Sequence, residues 1–166
     1  MSAAPPERPL TPGELREYAA ALAAQPERWA ARVRHDPHAR IYEQLELGEH
    51  VEAWLICWMD DHDTGFHDHD VSAGAVAVVS GAVREDRLVL GDRPTWRVAQ
   101  AGEVFGFEAH DIHRVLHVGE APAVTIHVYS PPLRRMGAYE VAAGGRLARH
   151  SISHAEELRP RDRATA

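Results

Sequence analysis

His67-Asp68-His69 places two imidazoles at positions i and i+2, and in a β-strand such positions project to the same face. Two rings so arranged can converge on one metal ion without any special loop. An His-x-His pair in a β-rich context is therefore half of a metal site, and the residues that complete it decide the chemistry. The segment from Gly102 to Val115 and the residues just beyond it supply His110, His113 and His117 as candidates. These three cannot all face inward, and the alternation of Ile112 and Val115 does not select one. His62 and His110 read as loop or rim residues. A second constellation lies further on, where Thr125, His127 and Tyr129 are spaced by two along an apolar run and so share one strand face.

These side chains need a scaffold that holds them face to face. Thr11-Pro12-Gly13-Glu14 combines an N-cap threonine, a proline at the first helical position and a glutamate three residues after the cap, the start of a capped helix. Leu15, Tyr18, Ala19 and Leu22 follow at helical spacing and predict one buried face. Pro26 opens a second helix, expected over Pro26 to Arg34 and ended by His35-Asp36-Pro37. From Arg40 the texture changes to short apolar runs separated by turn residues, as in an all-β sandwich or small barrel. Strands are expected near 40–47, 51–58, 66–70, 74–80, 82–90, 95–99, 103–106, 111–118 and 122–129, punctuated by Gly48, Gly65, Gly81, Gly91, Gly102 and Gly119. The organisation expected is helices over 1–38 packing on a barrel over 39–155, with a solvated tail over 156–166.

Composition narrows the function. A chain of 166 residues is one domain by the usual size range. Its 45% hydrophobic and 26% charged residues are ordinary for a globular protein. A formal net charge of -7 with scattered arginines argues against nucleic-acid binding and favours a small uncharged or zwitterionic partner. Cys57, the single cysteine, excludes an internal disulfide and fits a reducing compartment. It reads as a buried strand residue. No window has signal-peptide or membrane-span character, so a cytoplasmic protein without a membrane partner is expected.

An His-x-His after a glycine, and a later glycine-led segment ending in a histidine, resemble the two motifs of the cupin superfamily. Within it the chain resembles the thiol dioxygenases of the cysteine dioxygenase family. Leu55-Ile56-Cys57-Trp58, the His67-Asp68-His69 nine residues beyond that tryptophan, His113-Arg114-Val115, and Thr125-Ile126-His127-Val128-Tyr129-Ser130-Pro131-Pro132 match in order and spacing, over roughly residues 38–135.

The resemblance implies an all-β, jelly-roll-like cupin barrel with a short N-terminal helical segment. It implies a mononuclear Fe(2+) held by His67, His69 and His113. The usual cupin glutamate is replaced by Ala73 and Gly74. Three neutral imidazoles leave the metal dicationic, so an anionic thiolate can bind without crowding a carboxylate. Thr125, His127 and Tyr129 match a hydrogen-bonded chain that reaches the site, with the tyrosine hydroxyl near substrate and oxygen; their implied roles are orientation and proton management. The family usually has serine where Thr125 stands. Some members carry a cysteine that cross-links to this tyrosine, and Gly74 occupies its place, so no thioether is expected.

Arg40 lies close to the family's carboxylate-binding arginine once one residue of gap is allowed, and its planar fork suits a carboxylate. The family's nearby tyrosine falls on His38, with Tyr42 as a possible replacement. The Ser130-Pro131-Pro132 motif, whose Ser-Pro bond is cis in the arginine-bearing branch, favours L-cysteine over 3-mercaptopropionate. The expectation is a monomer that adds O2 to the sulfur of L-cysteine and yields the sulfinic acid, with Arg40 and Tyr129 contacting substrate. A Zn or Ni cupin isomerase or hydrolase and a non-catalytic small-molecule sensor are the alternatives from other classes.

Overall fold

The computed structural model describes residues 5–89, 91–142 and 146–153. Its first element is α1 (Pro12–Ala23), begun by the expected capping box: Glu14 N–H donates to Thr11 Oγ1 at 3.4 Å while Thr11 N–H donates to the Glu14 carboxylate at 2.8 Å. The second helix is shorter than the sequence suggests. α2 (Pro26–Trp29) gives way to a single 3-10 turn at Ala30–Arg32, and neither buries a residue. Only the partly buried Trp29 and Val33 reach the core from this segment, too little packing to favour a longer helix.

Eleven strands follow among the described residues: β1 (Ile41–Leu47), β2 (Glu52–Trp58), β3 (His67–Asp68), β4 (Ala73–Ser80), β5 (Ala82–Arg87), β6 (Thr95–Gln100), β7 (Val104–Phe107), β8 (His113–Val118), β9 (Ala123–Ser130), β10 (Arg135–Ala142) and β11 (Arg146–Ser153). The nine expected strands are present, β3 cut to two residues. The hairpin β10–β11 is additional, and the tail expected from Glu156 lies outside the described residues. Two antiparallel sheets result, in the orders β1-β2-β9-β4-β7 and β11-β10-β3-β8-β5-β6. This is the all-β cupin architecture with a short N-terminal helical segment. No helix among the described residues is long and apolar enough to cross a membrane.

Period-two alternation divides the five-stranded sheet between two cores. Ala53, Leu55 and Cys57 of β2, Ala75 and Ala77 of β4, and Val124, Ile126 and Val128 of β9 pack beneath Leu15, Ala19 and Leu22 of α1. Each fully buried leucine there contributes about 1.5–3 kcal/mol. The intervening residues, Ile56 and Trp58, Val76 and Val78, and Tyr129, face the second sheet and meet Val83, Phe105, Phe107, Val115 and Met136. Thr125 and His127 are buried on that inner face as well. The sheet thus carries its polar residues into the space between the sheets while its outer face is sealed by helix.

Candidate metal centre

β3 is the keystone of the second sheet. His67 pairs with Ala138 of β10 on one side and with His113 of β8 on the other. The alternation sends His67 and His69 into the barrel and Asp68 out of it. Outside, the Asp68 carboxylate accepts hydrogen bonds from Arg149 Nε at 2.8 Å, Arg149 Nη2 at 2.9 Å, Tyr139 Oη at 2.5 Å and Gly137 N at 3.2 Å. Burial pushes its pKa up, but the bonds from Arg149 and then Tyr139 outweigh that and hold it well below the usual carboxylate range. One residue type at the centre of the motif therefore ties the β10–β11 hairpin to the strand that aims both histidines.

Inside, one ring nitrogen each of His67, His69 and His113 lies within 4.8 Å of the others, and all three residues are buried. The ring centroids are 4.8 Å apart for His67–His69 and His67–His113, and 5.1 Å for His69–His113. His67 Nδ1 donates to the Gly65 carbonyl at 2.9 Å, and His113 Nδ1 donates to Glu85 Oε1 at 2.7 Å. Both partners are pure acceptors, so both rings carry their proton on Nδ1 and present an Nε2 lone pair. Burial, then the neighbouring His67, hold His69 and His113 well below the ordinary histidine pKa, so they are neutral donors. His113 Nε2 and both ring nitrogens of His69 are buried without a hydrogen-bond partner. Leaving such groups unsatisfied costs about 1–3 kcal/mol each. A divalent metal bound by three imidazoles satisfies His113 Nε2 and one ring nitrogen of His69, and the donor set fits one.

The sequence leaves three downstream histidines open, and the fold separates them. His113 and His117 both point inward from β8, four residues apart on one face. His117 sits at the far end, bonded to the Ala121 carbonyl at 2.9 Å and near Asp60 at 3.3 Å. His110 lies exposed in the turn before β8. His62, expected in a loop or at a rim, lies in the loop before β3 and is buried there, its Nδ1 accepting from Met59 N at 2.9 Å. The segment before β3 folds back on itself and closes over the ring.

The chamber facing the three rings is walled by Tyr42, Trp54, Ile56, Thr64, Phe107, Val115, His127, Tyr129, Leu133 and Met136. Thr125, His127 and Tyr129 form a continuous chain on β9. Trp58 Nε1 donates to Thr125 Oγ1 at 2.8 Å, Thr125 Oγ1 and His127 Nε2 are 2.9 Å apart, and His127 Nδ1 and Tyr129 Oη are 3.3 Å apart. Burial, followed by the proximity of His67 and Arg40, lowers the His127 pKa to about 3, so its ring is neutral. Arg40 precedes β1 and stands beside the chamber, its guanidinium 5.4 Å from the Tyr42 ring centre and 5.5 Å from that of Trp58. His38 donates its backbone N–H to Asp36, and it is Tyr42 that reaches the chamber wall.

Two residues of the site escape sequence reasoning. Phe107 stacks on His69, centroids 4.5 Å apart at 24°, and tilts against His113 at 4.5 Å. It also fills the space over Gly74, where a Cβ would collide with its ring. Gly74 is the ladder partner of Tyr129, the place from which a side chain could reach that phenol. Cys57 faces α1 on the opposite side of β2, and burial raises its thiol pKa. Glu85 is the other missed residue, hidden within the charged run Arg84-Glu85-Asp86-Arg87.

The chain is 22% identical over 141 residues to cysteine dioxygenase type 1 of Homo sapiens, covering 79% of this chain and 70% of that one. It is 23% identical over 141 residues to the Rattus norvegicus protein of the same name, with the same coverage. Among solved structures, a conserved Klebsiella pneumoniae protein with a double-stranded β-helix domain superposes with a TM-score of 0.53 at 14% identity, covering 72% of this chain and 91% of that one. A Bacillus halodurans protein gives a TM-score of 0.54 at 17% identity, covering 67% and 78%. These structures share the fold. Residues 13–142 match the sequence profile described as Cysteine dioxygenase type I, and the chain belongs to that family.

Proposed function

We propose that the protein is an Fe(2+)-dependent thiol dioxygenase that oxidises L-cysteine with O2 to cysteine sulfinic acid. The observation that carries this reading is the set of three buried imidazoles at His67, His69 and His113, the last two held neutral by burial, with no carboxylate in the group. Such a site keeps the full charge of a divalent ion for an incoming thiolate. When bound, ferrous iron supplies the one-electron chemistry that lets O2 react with a closed-shell thiolate. The net reaction forms two S–O bonds and breaks O–O, the sulfur losing the four electrons that O2 gains.

The chain's own residues bind, orient and manage protons. Trp58 Nε1–H holds Thr125 Oγ1, which donates to His127 Nε2; His127 Nδ1–H then donates to the Tyr129 oxygen and turns the phenol proton toward the chamber. Tyr129 so placed donates to substrate or to the oxygen atoms being transferred. Arg40 meets the substrate carboxylate. Its positive charge is already felt at His127, and Tyr42 links its position to the chamber wall. Phe107 and Met136 keep the chamber apolar and limit competing water.

Oxygen uptake by the iron-loaded protein with L-cysteine, 3-mercaptopropionate and cysteamine side by side tests the reading. Cysteamine lacks the carboxylate and 3-mercaptopropionate lacks the amine. The fastest uptake is expected with L-cysteine. Preference for 3-mercaptopropionate would reverse the substrate assignment and leave the metal assignment standing, while no uptake with any thiol would overturn the enzyme class.

A further inference from the structure

Glu85 is only 1% exposed, yet it is a carboxylate in the middle of a strand. The inward face of β5 runs Val83, Glu85, Arg87, and the register of the sheet surrounds Glu85 with donors. Across the ladder its direct partner on β6 is Arg97, and on the other side Arg87 stands opposite His113 of β8. Oε1 accepts from His113 Nδ1 at 2.7 Å and lies 3.1 Å from Arg87 Nη2. Oε2 accepts from Arg97 Nε at 2.6 Å and lies 2.5 Å from Arg97 Nη2. Both oxygens are thus committed, one to an imidazole and both to guanidinium groups.

The two arginines are themselves anchored. Arg87 donates to Asp111 Oδ2 at 2.9 Å and to the Gly106 carbonyl at 2.5 Å, while Arg97 lies 4.3 Å over the Phe105 ring. Arg97 is partly exposed and lines an open cleft on the outer side of the barrel with Arg16 and Trp96. A straight line of contacts therefore runs from solvent through Arg97 and Glu85 to the ring of His113.

An anion hydrogen-bonded to the far nitrogen of a ligating imidazole fixes its tautomer and its rotation, and makes the near nitrogen a stronger donor. A bare carboxylate would also hand negative charge to the centre, which three neutral ligands otherwise avoid. Two guanidiniums on the same carboxylate offset that charge while leaving the hydrogen bond in place. His67 Nδ1 meets a neutral acceptor, the Gly65 carbonyl, where His113 Nδ1 meets a carboxylate, so these two rings are not alike.

We propose that Glu85 is a positioning residue of the metal centre acting through His113, and that Arg97, with Arg87, sets how much of its charge reaches the metal. The inference rests on the reading that His67, His69 and His113 hold a metal. Its test compares wild type, Glu85→Gln and Arg97→Gln by two measurements: calorimetric titration with Co(2+), and the reduction potential of the iron-loaded protein. Glu85→Gln is expected to bind Co(2+) about 10–100-fold more weakly and to raise the potential. Arg97→Gln leaves the hydrogen bond to His113 and uncovers the carboxylate charge, so its potential falls. A merely structural role would not move the two potentials in opposite directions.

Potentials that shift the same way or not at all, or a Co(2+) affinity of Glu85→Gln within about threefold of wild type, overturn the proposal. Should Glu85→Gln fail to fold, Arg97→Gln decides alone: a lower potential supports the proposal, and an unchanged or higher one overturns it. Wild-type protein that binds no Co(2+) would instead sink the metal-site reading on which the inference stands.

Discussion

His67 and His113 are direct ladder partners, joined across the β3–β8 pair with ring centroids 4.8 Å apart. The pairing of two strands is thus also the meeting of two of the three histidines that could hold a metal. Because the register of a sheet has period two, a slip of one residue would turn one of them out of the barrel. His67→Ala and His113→Ala are each expected to weaken metal retention at least about 100-fold, measured as metal content after desalting. Normal content in either variant would remove that residue from the ligand set.

Tyr129 ends the chain that begins at Trp58 Nε1. Tyr129→Phe is expected to keep metal content unchanged and lower kcat by about 10–100-fold, the range of a single well-placed proton donor. An unchanged rate would make the phenol a structural residue only.

Gly74 has no room for a side chain because the Phe107 ring already occupies the space. Gly74→Ala is expected to destabilise the fold by about 1–3 kcal/mol through overpacking, read from denaturant unfolding. Gly74→Ala combined with Phe107→Leu should recover part of that loss. Simple additivity of the two substitutions would contradict the direct contact.

His127 stays neutral in the folded chain down to about pH 3 because it is buried. The unfolded chain accepts a proton at this ring below about pH 6.5, so the folded state loses stability there by about 1.4 kcal/mol per pH unit as pH falls, levelling only near the folded pKa. His127→Gln is expected to flatten the stability profile of metal-free protein between these limits by that slope. A profile parallel to wild type would show that the ring titrates normally.

Much of the site is written in local spacing, and the rest is not. The capping box at Thr11 and Glu14, the His-x-His pair and the Thr125-His127-Tyr129 face all depend on contacts within a few residues, which periodicity reports. Choosing His113 over His117 is harder, since both occupy the inward face of β8 and only the position of β3 across the ladder separates them. Glu85 is less legible still. Its run of four charged residues has the pattern of a solvated strand, and its burial follows from Arg97 and His113 on two other strands. The β10–β11 hairpin shows weak apolar alternation, for beside the buried Met136 and Ala138 it is fastened by the bonds among Asp68, Tyr139 and Arg149.

On the proposed function, the three-histidine centre delivers both atoms of one O2 to a thiol sulfur. Mass analysis of the product formed from L-cysteine under 18O2 in ordinary water tests it most directly. Cysteine sulfinic acid carrying label at both sulfinate oxygens is the predicted result. Label at one oxygen or at neither, or no sulfinate at all, would contradict it.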